Sequence, residues 1–336
     1  LLLLLFLTLF ADGTGPVPEL GTQVGMIPTW RIVLILVVLG VLGLRDKVIF
    51  LAARGEVYAS LALTFLFGGV DTIVAAKLVF MVIWIGAATS KLNKHFPFVM
   101  STMMSNNPVF RPRVIKRLFF ENFPDDLRPG RLSRVFAHVS TFVEMCVPIA
   151  LFVSHGGWPT AVAATVMVIF HLGILTAIPM GVPLEWNVFM IFGVLSLFVG
   201  HACLGLADVK NPVPLAILIA VVAGIVIAGN VFPRKISFLA AMRYYAGNWD
   251  TTLWCIKPSA EDKINRGIVA IASMPAAQLE RFYGKDRAQI PMYLGYAFRA
   301  MNSHGRALFT LAHRAMAGHD EDDYVITDGE RVCSTA

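Results

Sequence analysis

The chain has 336 residues, of which 57% are hydrophobic and only 15% are charged, and its mean hydropathy is +0.68. A soluble domain usually carries about 25% charged residues, so this composition excludes an ordinary soluble protein and predicts an integral membrane protein. The formal net charge is +6. The basic residues flank the apolar segments, however, and this distribution argues against nucleic acid as a partner.

The apolar segments are long enough to cross a bilayer, which takes roughly 20 mostly apolar helical residues. They lack the two-residue alternation of barrel strands, so backbone hydrogen bonding in lipid requires helices. We predict an all-α polytopic protein with about eight transmembrane helices, the first of them partial. The predicted spans are Leu1–Phe10, Ile27–Leu44, Val57–Gly69, Asp71–Ser90, Val135–Ser154, Pro159–Ala177, Leu184–Cys203 and Pro212–Val231.

The orientation of the spans follows from the lysine and arginine residues that connect them. Residues 91–134 contain many basic residues against only Glu121, Asp125 and Asp126, whereas residues 11–29 contain none. We therefore expect residues 1–232 to form a bundle in the inner (plasma) membrane, with the basic loop 91–134 on the cytoplasmic side.

Residues 233–336 are richer in charge than the bundle, and we expect them to form a cytoplasmic, mainly helical tail. Helical patterns cover Ala260–Tyr283 and Pro291–Ala317, and strand-like residues surround the turn sequence Asp328-Gly329, which indicates the beginning of an α+β domain. The first residue is Leu1 rather than Met and lies within an apolar run, and the chain ends shortly after this turn. We expect both ends to be cuts through a longer protein.

Two ionisable residues fall in the middle of adjacent predicted spans, where a charge costs about 2.5–3.5 kcal/mol. Glu144 lies about 14 Å and His171 about 10 Å from the cytoplasmic end of its helix, at 1.5 Å per residue. A contact between them is therefore geometrically feasible. It would serve as a proton relay or an acid/base pair, or else simply hold two helices together.

A third candidate position lies where the span Asp71–Ser90 ends. Lys91 and His95 are spaced i, i+4 and would face one site if the helix continued. A buried lysine can act as a base, although a positive-inside anchor explains the same pattern. Lys77, deeper in this span, is interpreted as extending its amine toward water.

The basic loop supplies candidate contacts to lipid headgroups or to a partner protein. These candidates are Arg111, Arg113, Lys116, Arg117, Arg131 and Arg134. No phosphate-binding loop, zinc-protease motif or nucleophile-elbow motif occurs in the sequence. We expect no metal site, and the sequence indicates no particular cofactor.

Three runs of the sequence are distinctive: Leu44–Glu56, Glu121–Pro129 and Met301–Arg306. Through them nearly the whole chain resembles an uncharacterised actinobacterial family of transmembrane proteins of unknown function. This resemblance implies a mycobacterial-type envelope but no activity. Locally, Trp84–Leu92 and Phe170–Gly173 are similar to segments of the HTTM family, the membrane domain shared with vitamin K-dependent carboxylase. That similarity implies functional residues at positions 91 and 171.

The leading hypothesis is a membrane component of the cell envelope that binds lipids or another membrane protein, without catalysis. One alternative is a membrane enzyme for a hydrophobic substrate, with Glu144, His171 and Lys91 near one cavity. Another is a proton-coupled transporter that uses Glu144 and His171. The sequence leaves open whether the protein is an enzyme.

Overall fold

The computed structural model describes residues 1–45, 55–92, 96–107, 109–110, 112–122, 126–177, 181–232, 253–267, 284–289 and 325–328, together with Arg314 and Ala317. The chain divides into two compact units. The bundle unit comprises Leu1–Lys91 and Val139–Arg243, and the second unit comprises Leu92–His138 and Tyr244–Ala336.

The described residues are mostly helical, with two small antiparallel sheets. In chain order the helices and strands are α1 (Leu2–Leu9), α2 (Thr29–Arg45), α3 (Gly55–Thr64), α4 (Gly69–Ser90), α5 (Phe96–Asn106), α6 (Arg113–Arg117), β1 (Phe120–Asn122), β2 (Asp126–Pro129), α7 (Arg131–Val153), α8 (Gly157–Ala177), α9 (Gly181–Gly193), a π-helical continuation of α9 (Val194–Val199), α10 (Pro212–Val231), β3 (Leu253–Ile256), α11 (Pro258–Gly267) and β4 (Val325–Asp328). Short 3₁₀ turns lie at Pro18–Leu20 and Leu206–Asp208.

Each predicted span coincides with a helix, and most boundaries differ by only a few residues. Among the described residues, α4, α7 and α8 are long and apolar enough to cross a membrane. Shorter apolar stretches lie within α9 and its continuation (Leu184–Val199) and within α10 (Pro212–Ala228). The largest difference is at α3, which ends at Thr64 because a turn leads into Gly69, whose positive φ favours glycine. The total of about eight spans stays a prediction.

Helix α4 lies at the centre of the bundle unit. In its 18-residue apolar stretch 61% of the residues are buried, against 33% in the corresponding stretches of α7 and α8. Helix α4 therefore packs on neighbours around most of its circumference. Its close approach to the end of α9 requires a residue without a side chain. A Cβ atom at Gly193 would lie 2.2 Å from the Phe80 ring, which leaves no room for one.

The stretch predicted as a basic loop is a folded element of the second unit. Helix α5 and the hairpin β1–β2 surround a core of aromatic and methionine side chains. Its buried members are Phe96, Met100, Met104, Phe119, Phe120 and Ala137. Inside it Ser101 donates to Ser133 (2.9 Å), and Ser133 donates to the carbonyl of Phe119 (2.6 Å). The sequence pattern showed the charges of this stretch but not this core.

The tail contains a two-stranded sheet in which β3 pairs with β4 antiparallel, with Leu253 opposite Asp328 and Ile256 opposite Val325. Strand β4 covers the strand-like residues up to Asp328, and its partner lies far earlier in the sequence. The residues after Asp328, where the second strand of the expected hairpin would lie, are outside the described residues. The described part of the predicted helix Ala260–Tyr283 is α11. The predicted helix Pro291–Ala317 lies outside the described residues, apart from Arg314 and Ala317.

Candidate functional site

An ion pair joins two of the candidate membrane spans of the bundle unit. Lys91 caps the C-terminal end of α4 with helical backbone angles, and its Nζ donates to Glu144 Oε2 on α7. The side chains are 18% and 6% exposed, respectively. A cation at a helix C-terminus is favoured by the helix dipole, and the carboxylate gains a counter-ion where water is scarce. The pair therefore stabilises two charges that would be costly alone.

The same lysine connects this pair to helix α8. Its Nζ lies 5.6 Å from the centre of the Phe170 ring, within the range of a cation–π interaction. Phe170 immediately precedes His171, whose imidazole is buried. Three candidate residues from the sequence, Lys91, Glu144 and His171, thus lie in one region of the bundle unit, on α4, α7 and α8.

His171 is fixed by hydrogen bonds at both ring nitrogens. Trp84 Nε1 donates to His171 Nε2 over 3.1 Å, and His171 Nδ1 lies 2.7 Å from Asn187 Oδ1. An indole N–H can only donate, so Nε2 must carry a lone pair and the proton must lie on Nδ1, which donates to Asn187. This network selects the neutral imidazole and one tautomer. The side chain ties α8 to α4 and α9.

The contact between Glu144 and His171 that the helix positions made feasible is not formed among the described residues. The Glu144 carboxylate is bonded to Lys91, and both nitrogens of His171 are bonded to Trp84 and Asn187. A proton on Nε2 would also turn the acceptor of the Trp84 bond into a second donor. The structure therefore provides no direct proton relay between the two residues.

Two further charged residues of α4 are buried in the bundle unit, and both bind backbone groups. Lys77 Nζ donates to the carbonyls of His201 (2.8 Å) and Leu204 (2.7 Å), just beyond the π-helix. Asp71 accepts from the backbone N–H groups of Lys210 (2.7 Å) and Asn211 (2.9 Å), at the N-terminus of α10. The interpretation that Lys77 extends toward water is wrong, because helix-end carbonyls hold its ammonium group inside the protein.

Some residues of these networks were not singled out from the sequence. Trp84 and Asn187 hold His171, and Asp71 caps α10 from another helix. Asn187 could have been suspected, because an amide within an apolar segment usually bonds to a neighbouring helix. No local pattern indicates that Asp71 meets α10, since the two are far apart in sequence.

The basic candidates of residues 92–138 differ in environment. Arg117 and Arg131 are exposed and Lys116 is half-buried. Arg134 pairs with Glu121 and also donates from Nε to the Pro129 carbonyl (3.2 Å), so it fixes the hairpin. His95 and Arg111 lie outside the described residues, as does the side chain of Arg113. In the part of the chain that is described, no three His, Cys, Asp or Glu residues are grouped to hold a metal ion.

Apolar helices of spanning length, with their few buried charges paired or bonded to backbone, define an integral membrane protein of the helical class. The whole chain, residues 1–336, matches a family described as "Transmembrane protein of unknown function (DUF3556)", and it belongs to that family. No curated protein and no solved structure matches the chain. The predicted membership of a transmembrane family of unknown function is confirmed, and this membership assigns no activity.

Proposed function

We propose that this protein is a membrane component of the cell envelope that binds anionic lipid headgroups through residues 92–138. The observation that carries the proposal is the placement of Lys116, Arg117 and Arg131 on a folded element with its own core. A rigid element presents its charges together, whereas a flexible loop would first have to be ordered. The resemblance to an actinobacterial family supports the envelope context, with this element on the cytoplasmic side of the inner membrane.

Chain connectivity keeps these charges near the bilayer. The element begins shortly after α4 ends at Ser90, and it continues directly into α7 at Arg131, and both helices are candidate spans. A basic residue close to an anionic membrane gains about 1 kcal/mol, an attraction that fades within a Debye length of roughly 10 Å. Several such residues on one element would add their contributions.

The test compares lipid retention in two charge-reversed variants of the full chain. One carries Lys116→Glu, Arg117→Glu and Arg131→Glu. The matched control carries Lys257→Glu, Lys263→Glu and Lys285→Glu, exposed residues of the tail with the same change in net charge. Protein purified in native nanodiscs is extracted, and its anionic phospholipid is quantified by mass spectrometry. We expect a loss of anionic lipid in the first variant only.

Equal retention in both variants and the wild type would refute the proposal, and so would an equal loss in both. If the first variant instead loses a co-purifying protein while keeping its lipid, the basic element is a protein-binding surface. Another membrane protein, or a larger complex, is then its partner.

A second candidate function is a membrane enzyme for a hydrophobic substrate, such as a quinone or a lipid. It is favoured by the grouping of Lys91, Glu144 and His171, since Lys91 and His171 are the positions that the HTTM resemblance implies. Lys91 is bonded to Glu144 in the structure, so it would have to leave this contact before it could reach a substrate. A quinone or lipid found by mass spectrometry with the wild type but not with Lys91→Met would support this function, and identical extracts would reject it.

Proton-coupled transport through Glu144 and His171 has less support. It requires a proton path between residues that bind other partners in the structure. A transporter of this kind would need both hydrogen bonds of His171 to be rearranged in each cycle.

A further inference from the structure

The basic element also exposes a group of large apolar side chains. Val109, Val114 and Leu118 are 68%, 71% and 56% exposed, whereas the neighbouring Phe119 is fully buried. Isolated surface hydrophobics are common in proteins and need no explanation. Val114 and Leu118 lie one helical turn apart, and we call these two exposed side chains the α6 apolar patch.

Helical geometry places this patch beside a cation. At about 100° per residue, Val114 and Leu118 are separated by only about 40° around α6, and Leu118 retains helical backbone angles. Ile115 packs on the core, which lies on one side of the pair. Arg117 lies about 60° from Val114 on the other side. The patch is therefore bounded by the core of the element and by an exposed arginine.

We propose that the α6 apolar patch inserts into the headgroup–acyl boundary of the bilayer that holds the chain's own spans. The inference rests on the proposed function, because the same element binds the headgroups, and it adds that the contact has an apolar part. Apolar side chains beside basic ones are what segments lying in a membrane interface present to lipid. Because residues 92–130 connect two candidate spans directly, that bilayer is the nearest apolar phase along the chain.

The combination of charges points to an anionic surface. Arg117 beside the patch, with Lys116 and Arg131 on the same element, would repel a cationic partner and fits phosphate groups above an acyl layer. Insertion would bring Arg117, which borders the patch, within hydrogen-bonding reach of phosphates. The two contributions then reinforce each other, since each keeps the other at the membrane surface.

The experiment is site-specific photocrosslinking of the full-length protein in vesicles of phosphatidylcholine and phosphatidylglycerol. The photoreactive residue p-benzoylphenylalanine replaces Val114 or Leu118 in separate variants. A control variant carries it at Asn122, an exposed polar position on β1 of the same element. After irradiation, mass spectrometry identifies the adducts. We expect phospholipid adducts at positions 114 and 118, several-fold above those at position 122.

Equal lipid yields at all three positions would overturn the inference, and so would adducts to a second protein chain in place of lipid. The outcome is separable from that of the charge-reversal test. If charge reversal leaves lipid retention unchanged while adducts persist at position 114, the headgroup proposal fails and insertion stands. If retention depends on charge but no lipid adduct forms, insertion fails and headgroup binding stands.

Discussion

The ion pair between Lys91 and Glu144 allows a sharp test of the reasoning about buried charge. We consider Lys91→Met, Glu144→Met and the double variant as a thermodynamic cycle. Removing one partner of a buried ion pair typically costs about 3–5 kcal/mol, because the remaining charge is left without compensation. Replacing both partners by apolar residues is often neutral or stabilising. The double variant should therefore be more stable than at least one of the single variants.

The exposures of the two side chains predict which single variant suffers more. Glu144 is 6% exposed, so Lys91→Met leaves a carboxylate that water barely reaches. We expect this variant to lose about 3–5 kcal/mol of stability. Lys91 is 18% exposed at a helix end, so its ammonium can turn toward water in Glu144→Met. We expect a cost of about 1–3 kcal/mol for that variant, in the range of a lost charged hydrogen bond.

Stability can be followed by SDS-induced unfolding in mixed micelles, with tryptophan fluorescence as the signal. The exposed pair of Lys210 and Glu19, whose side chains are 59% and 45% exposed, provides a matched control. Lys210→Met should cost less than about 1 kcal/mol, as exposed ion pairs usually do. Additive effects in the Lys91–Glu144 cycle would refute the reasoning. A stable double variant that no longer retains a hydrophobic molecule would assign the pair to function.

Three further predictions concern the other buried polar contacts. Asp71→Ala should lower stability by about 1–2 kcal/mol through loss of the cap of α10, and Asp71→Asn should recover part of this, as measured by the same SDS unfolding. Lys77→Met should cost about 1.5–3 kcal/mol for each charged hydrogen bond it removes, and an unchanged midpoint would show that the ammonium is not bound there. Ser133→Ala should cost about 1 kcal/mol and increase limited proteolysis within residues 92–138, while leaving α8 protected.

The membrane class and the helices were predictable from the sequence because both depend on local properties. A run of apolar residues long enough to cross lipid must be helical wherever it lies in the chain, since its backbone groups have no other partners. The apolar segments therefore predicted helices such as α8 and α10 closely. The cost of burying a charge likewise identified Glu144 and His171 as positions that need partners.

Only the tertiary structure decided which partners these residues have. Sequence spacing gives the depth of Glu144 and His171 in their helices but not the rotation of each helix about its axis. That rotation directs Glu144 to Lys91 and directs His171 to Trp84 and Asn187. The core of residues 92–138 and the pairing of β3 with β4 could not be predicted from the sequence either. Such contacts join residues distant in sequence, and no local pattern records which surfaces meet.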